Sequence, residues 1–201
     1  MTIFGPGRKL IYANGARVFQ PRASEVVTYL HDTFTDAEGT LLSAHTMDVG
    51  PGWTDASDDW RIQNNLARIA VNFSTAYTNA SATQYVAQVY MWSTASSTSL
   101  IRGMRLWMNA GLTSYYDVGY KFADQFQIRD ATGAILATTL WTGDLINRLI
   151  KCVCSGTTIT ATLDGGSEIS ATGLTPNSYV GITGRRTSDY YNDLLVASAI
   201  P

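Results

Sequence analysis

The stretch from Asp32 to Trp60, DTFTDAEGTLLSAHTMDVGPGWTDASDDW, decides how the rest of the chain is read. It is rich in Asp, Gly and Thr and carries no helical or strand period long enough to be one regular element. Asp55, Asp58 and Asp59 fall in a surface-loop pattern. There an aspartate hydrogen-bonds its own backbone, so they read as turn residues. Trp53 and Trp60 are expected to pin the long loop onto the body of the protein.

Outward from that loop the texture is β. Val26–Leu30 is β-branched and aromatic, and Leu66–Phe73 alternates in part. Gln84–Trp92 puts Tyr85, Ala87, Val89 and Met91 on one face and Val86, Gln88, Tyr90 and Trp92 on the other. Large apolar groups on both faces predict a strand covered on two sides, with Trp92 in the core. Ile101–Met108 alternates and places Trp107 in the core. Tyr115–Arg129 reads as two strands with a break near Ala123-Asp124.

Ala134–Trp141, Leu149–Ser155, Thr157–Leu163, Tyr179–Gly184 and Leu194–Ala199 complete the set of strands. Asp164-Gly165-Gly166 is a hairpin turn, because Asp and Gly tolerate positive φ. In the hairpin Gly156–Ser167 a Thr face meets solvent and an Ile/Ala/Leu face meets core. Gly143–Leu149 is the one candidate for a helical turn. Many short strands between Gly, Asn and Ser turns predict an all-β sandwich or barrel.

Composition narrows the function classes. The 201 residues are 45% hydrophobic, enough for one buried core. Charged residues are 15%, below the roughly 25% usual in soluble proteins. A net charge of −2 argues against a nucleic-acid partner, which needs a basic footprint. No run reaches the roughly 18 apolar residues that cross a membrane. The start of the chain has no apolar signal-peptide core, so synthesis in a cytoplasm is expected.

Cys152 and Cys154 are two apart on a predicted strand and share a face. Side by side, they are poorly placed to bond with one another and read as reduced thiols.

The first 25 residues differ from the rest. Arg8, Lys9, Arg17 and Arg22 stand against one acid, Glu25. Gly5-Pro6-Gly7, Asn14-Gly15 and Gln20-Pro21 break up any long element. Short apolar pairs lie between the breakers. Residues 1–25 therefore read as an extended docking arm, with the alternative that they fold back on the domain. Residues 26–201 form the β-sandwich domain.

Within the opening stretch, D-x-F followed by Asp36, Gly39, Thr40, Leu42, His45, Thr46, Asp48, Gly50 and Trp53 resembles the first strand and loop of concanavalin A-like (laminin G-like) domains. These occur in phage virion proteins and secreted bacterial proteins. Asn192-Asp193-Leu194-Leu195-Val196 is a weaker match to the closing strand. The resemblance implies a concanavalin A-like jelly-roll β-sandwich preceded by the arm, and a structural hydrogen bond for His45. Relatives often hold one calcium ion near the terminal strands. Asp32, Asp36 and Asp193 could converge for that, but an ion of this kind needs six to eight oxygens, and turn and strand-end roles are the stronger reading. No cofactor and no metal site are expected.

Catalysis is not expected either. Glycosidases on this fold carry E-x-D-x-x-E, which sets two carboxylates about 5–5.5 Å apart. This chain has three glutamates, Glu25, Glu38 and Glu168, and none sits in that motif. No G-x-S-x-G elbow accompanies His31 or His45, and no glycine-rich loop has the Lys of a phosphate site.

Two functional expectations remain. The first is a non-enzymatic phage structural protein that decorates or cements a capsid. Its arm (Arg8, Lys9, Arg17, Arg22) would dock on the major capsid protein or another virion protein, with the sandwich outward. A homo-oligomer is expected, and analogy with outer virion proteins points to a trimer. The second is a lectin-like module of a tail fibre, spike or cell surface. For glycan or partner contact the exposed candidates are Tyr115, Tyr116, Tyr190 and Tyr191.

Overall fold

The computed structural model describes residues 8–13, 16–21, 26–55, 57–70, 73–93, 101–121, 125–185 and 187–198, the first two segments by backbone alone. In chain order the strands are β1 (Arg8–Ala13), β2 (Ala16–Pro21), β3 (Thr28–Asp32), β4 (Trp60–Ile62), β5 (Ala67–Ile69), β6 (Ser74–Asn79), β7 (Tyr85–Ser93) and β8 (Arg102–Met108). They continue with β9 (Tyr116–Lys121), β10 (Gln125–Asp130), β11 (Ile135–Leu140), β12 (Leu145–Ser155), β13 (Thr158–Leu163), β14 (Ile169–Ala171), β15 (Tyr179–Gly184) and β16 (Asp189–Ala197). One 3₁₀ turn, Leu42–Ala44, interrupts the long loop after β3.

Two antiparallel sheets form a sandwich. One has six strands in the order β11-β10-β9-β8-β15-β6. The other has eight, in the order β14-β13-β12-β7-β16-β5-β4, with β3 also paired to β16. The non-consecutive neighbours β7–β12, β7–β16 and β8–β15 make the jelly-roll crossovers. The closing strand lies against the first strand of the domain, Leu194 opposite Asp32. Strands β1 and β2 pair with each other in a two-stranded sheet of their own, from Arg8 opposite Pro21 to Ala13 opposite Ala16. The segment read as an extended arm therefore contains a hairpin.

The core follows the two-residue period of a strand. In β7, Tyr85, Ala87, Val89 and Met91 face inward and are fully buried. In β13, Ile159, Ala161 and Leu163 are buried, while Thr158, Thr160 and Thr162 face outward as expected. Cys152 and Cys154 lie in β12 on the buried face, both free thiols.

A charged network is buried beside this apolar core. Arg102 is 1% exposed and lies 3.7 Å from Asp189, itself 0% exposed. Ser93 Oγ accepts from Arg102 at 2.8 Å and donates to Asp189 at 2.6 Å. Charges this deep persist only when paired and hydrogen-bonded.

The Asp32–Trp60 stretch is held down from inside. Phe34, Leu42, Met47, Trp53 and Trp60 are all buried. Phe34 adopts a φ of 54°, and its amide donates to Asp32 Oδ1 at 2.7 Å. Gly50 has a φ of 135°, which L side chains rarely adopt, and a Cβ there would push aside Met47 Sδ at 2.5 Å and Leu30 Cδ2 at 2.8 Å. Asp55 accepts from the Trp60 amide at 2.8 Å, and Asp58 accepts from Ser43 Oγ at 2.8 Å. Asp55 has the backbone-bonding role that its sequence setting predicts but is buried, and Asp58 instead ties the loop to the 3₁₀ turn through Ser43.

Three sequence expectations are corrected. Gly143–Leu149 is not a helical turn. Leu145 opens β12, and a bulge at Asn147, φ 54°, shifts its register against β7. Trp92 is half-buried, because β7 is covered on one face only. Tyr191 is fully buried, so it is not an exposed contact residue. It faces inward from β16, its hydroxyl donating to Thr183 O at 2.7 Å and its ring 5.7 Å from that of Trp60.

Candidate functional site

The outer face of the six-stranded sheet carries a row of charge. Strand register sets Arg105 of β8 directly opposite Asp117 of β9, and Asp117 opposite Arg129 of β10. Three long polar side chains therefore stand side by side across three strands. Arg105 Nε donates to Asp117 Oδ1 at 2.7 Å, and its Nη2 to Oδ2 at 3.0 Å. This bidentate fork fixes both planes. Arg129 Nε donates to Oε1 of the buried Gln127 at 2.8 Å, which holds its guanidinium beside the pair.

Tyr115, just before β9, lies over Arg105, with the guanidinium carbon 3.7 Å from its ring centre. The cation–π contact orients the ring as one wall of a hollow of about 290 Å³. Thr75, Thr183, Arg129, Asp130 and Arg185 contribute the remaining polar walls. Arg185 is 8% exposed, with its guanidinium over the exposed ring of Phe73. Arg105 and Asp117 are each under 20% exposed and form the floor. Burial pushes the Asp117 carboxyl above its ordinary value, and Arg105 offsets part of that rise.

Of the four tyrosines singled out by sequence, Tyr115 alone enters this hollow. Tyr116 points the other way along β9. Its ring meets Trp107 edge-on at 6.2 Å, and its hydroxyl accepts from the Thr175 amide at 3.0 Å. Tyr190 lies opposite Trp92 on the outer face of the eight-stranded sheet. There it lines a separate, mostly apolar hollow of about 250 Å³ with Leu66 and Ile146. The four tyrosines thus do not share a surface. Arg22, Glu25 and the side chains of Arg8, Lys9 and Arg17 lie outside the described residues.

The carboxylates considered for calcium do not build a cage. Both oxygens of Asp32 are occupied by donors from Phe34, His45 and Trp53. Asp36 faces His45 and Asp193 faces His31. Among the described residues no group of three or more His, Cys, Asp or Glu side chains is placed to hold a metal ion. Glu38 is exposed and accepts from the Asn64 amide; Glu168 is exposed on the way into β14.

No protein-family model and no curated protein sequence matches the chain. Solved structures do match it. Carbohydrate binding module CBM66 from Bacillus subtilis superposes with a TM-score of 0.55 over 75% of this chain and 97% of its own, at 13% identity. The Bacillus licheniformis β-glucanase gives 0.59 over 86% and 98%, at 10% identity. The CBM2 module of the evolved Dit of Lactobacillus casei BL23 phage J-1 gives 0.53 over 88% and 97%, also at 10% identity. Likeness at such identities establishes the fold: a concanavalin A-like jelly-roll β-sandwich, the architecture of carbohydrate-binding modules and of a glucanase.

The Arg105–Asp117–Arg129 row escaped the sequence reading. Arg105 and Asp117 are 12 residues apart and look unrelated until register joins them. The signal that was available is the alternation of Tyr115 and Asp117 on one side of β9.

Proposed function

We propose that this protein is a non-catalytic glycan-binding module and that its site is the outer face of the six-stranded sheet around Tyr115, Arg105, Asp117 and Arg129. The observation that carries the reading is the fixed row of guanidinium, carboxylate and guanidinium beside an aromatic wall. Sugar rings offer an apolar face for stacking and hydroxyls in fixed directions. A hollow with one aromatic wall and locked polar groups on its floor suits both. Asp117 is tied by both oxygens to Arg105, so it is a poor candidate for moving protons in hydrolysis. The likeness to carbohydrate-binding modules supports the same reading at the level of fold.

The test is a glycan array followed by calorimetry with the full chain and with Tyr115→Ala and Arg105→Gln. Binding that either substitution weakens, with Tyr115→Ala melting as the wild type does, supports the site. Binding that survives both but is lost in Tyr190→Ala would move the site to the opposite sheet.

The separate β1–β2 hairpin favours a second, compatible reading about placement. The hairpin with Arg8, Lys9 and Arg17, and Arg22 next in sequence, would attach the sandwich to a virion protein, leaving the glycan-binding face outward. Likeness to a module of a phage Dit supports that setting. Co-sedimentation with phage particles, with and without residues 1–25, tests it at low and high salt. Equal binding by both forms removes the hairpin from the attachment.

A further inference from the structure

We infer that the ligand of the Arg105–Asp117–Arg129 hollow is an acidic glycan, a carboxylate-bearing sugar such as a uronate, with Arg129 as the group that receives the carboxylate. The inference rests on the glycan-binding reading and narrows it.

Among the described residues, Arg105, Arg129 and Arg185 line the hollow together with Asp117 and Asp130. Asp117 is committed through both oxygens, Asp130 through Oδ1. Asp117 accepts the two-pronged bond from Arg105. Asp130 Oδ1 accepts from the Thr132 amide at 2.9 Å, the Thr132 hydroxyl at 2.7 Å and the Ala134 amide at 3.0 Å, closing the turn into β11. The hydroxyls of Thr75 and Thr183 bond one another at 3.3 Å.

Arg129 is different. It uses Nε on Gln127, and among the described residues it has no carboxylate partner within ion-pair distance. Arg129 lines the hollow. A neutral sugar brings hydroxyls that donate as well as accept, and every donated bond needs a protein acceptor. A carboxylate brings acceptors alone and matches the planar fork of a guanidinium. Arg129 thus brings to the hollow a guanidinium that, among the described residues, no carboxylate fork takes up.

The experiment uses the full chain on an array of oligosaccharides ending in glucuronate, galacturonate or sialate. Each is paired with its methyl ester, which keeps the sugar and removes the charge. Preference for the acid over its ester of about 10-fold or more, weakened by high salt, is expected. Arg129→Gln should abolish the preference while melting as the wild type does. Arg129→Lys, which keeps the charge without the fork, should retain part of it. Equal binding of acid and ester, or binding of neutral glycans alone, overturns the acidic ligand and leaves the glycan reading standing. Binding of no glycan at all overturns both.

Discussion

Asp32 and His45 meet inside the sandwich, Oδ1 to Nε2 at 2.9 Å, with both side chains at most 3% exposed. The other ring nitrogen, Nδ1, faces Asp36 Oδ2 at 3.1 Å. An imidazole between two ionised carboxylates can satisfy both only by donating from both nitrogens, as the cation. Trp53 Nε1 donates to Asp32 Oδ2 at 2.5 Å, so one carboxylate ties together the end of β3 and two points of the long loop. This cluster gives Asp32, His45 and Trp53 one joint structural role in the long loop.

The cluster predicts a pH dependence of stability. Burial pushes His45 down, but hydrogen bonds to Asp32 and Asp36 outweigh it and leave its pKa above the ordinary 6.5. A raised folded value means the contribution is fully present below about 6.5 and is lost as pH rises through the folded pKa. Asp36 runs the other way. His45 holds it below the ordinary 3.8, so its contribution is full above about 3.8 and is lost as pH falls through the depressed value. The cluster is therefore at full strength between about pH 4 and 6.5. His45→Gln should cost about 3–5 kcal/mol at pH 5 and clearly less at pH 9. Chemical denaturation at the two pH values checks this; an equal loss at both would mean that His45 acts only by packing.

The adjacent tyrosines of β16 should separate cleanly. Tyr191→Phe deletes a buried hydroxyl that donates to Thr183 O, for a loss of about 1 kcal/mol. Tyr190→Phe, on the outer face, should stay within about 0.5 kcal/mol of wild type. Thermal melts of the two variants compare them directly, and equal losses would contradict the inward–outward alternation.

That alternation also marks how far the sequence could be read. The β texture, the Thr face of β13, the paired thiols and the loop-pinning roles of Trp53 and Trp60 were legible, because they depend on local period and turn chemistry. Tyr191 was misread because the pair was taken as a unit, although a strand must send neighbours to opposite faces. The bulge at Asn147 is not legible in the sequence, because pairing of β12 with β7 decides it. The Arg105–Asp117–Arg129 row was out of reach for a different reason. It exists only in the register of β8, β9 and β10, and nothing local in the sequence fixes that register.

The thiols of β12 should be silent in the native protein. Burial pushes Cys154 up to about 12 and Cys152 well above its ordinary value. Reactivity needs the thiolate and access, and both are missing here. A thiol-specific reagent at pH 8 should modify neither cysteine in the folded protein and both after unfolding. Rapid native labelling would show that the sheet opens locally around β12.

Burial raises the Asp117 carboxyl above the ordinary 3.8, against the pull of Arg105. On lowering the pH it therefore takes its proton earlier than an exposed aspartate does. Protonation removes one arm of the fork to Arg105 and loosens the floor against which Tyr115 is stacked. Glycan affinity of the wild type should fall as pH drops, with a midpoint above 3.8. Asp117→Asn keeps the size of the side chain and cannot carry the charge. It should bind about 10-fold more weakly at pH 7, a loss of about 1.4 kcal/mol, and its remaining pH dependence should be that of the ligand's own carboxyl. Calorimetric titration of both proteins from pH 4 to 7 measures this. A variant that matches wild type at every pH would place the floor of the hollow outside the binding site.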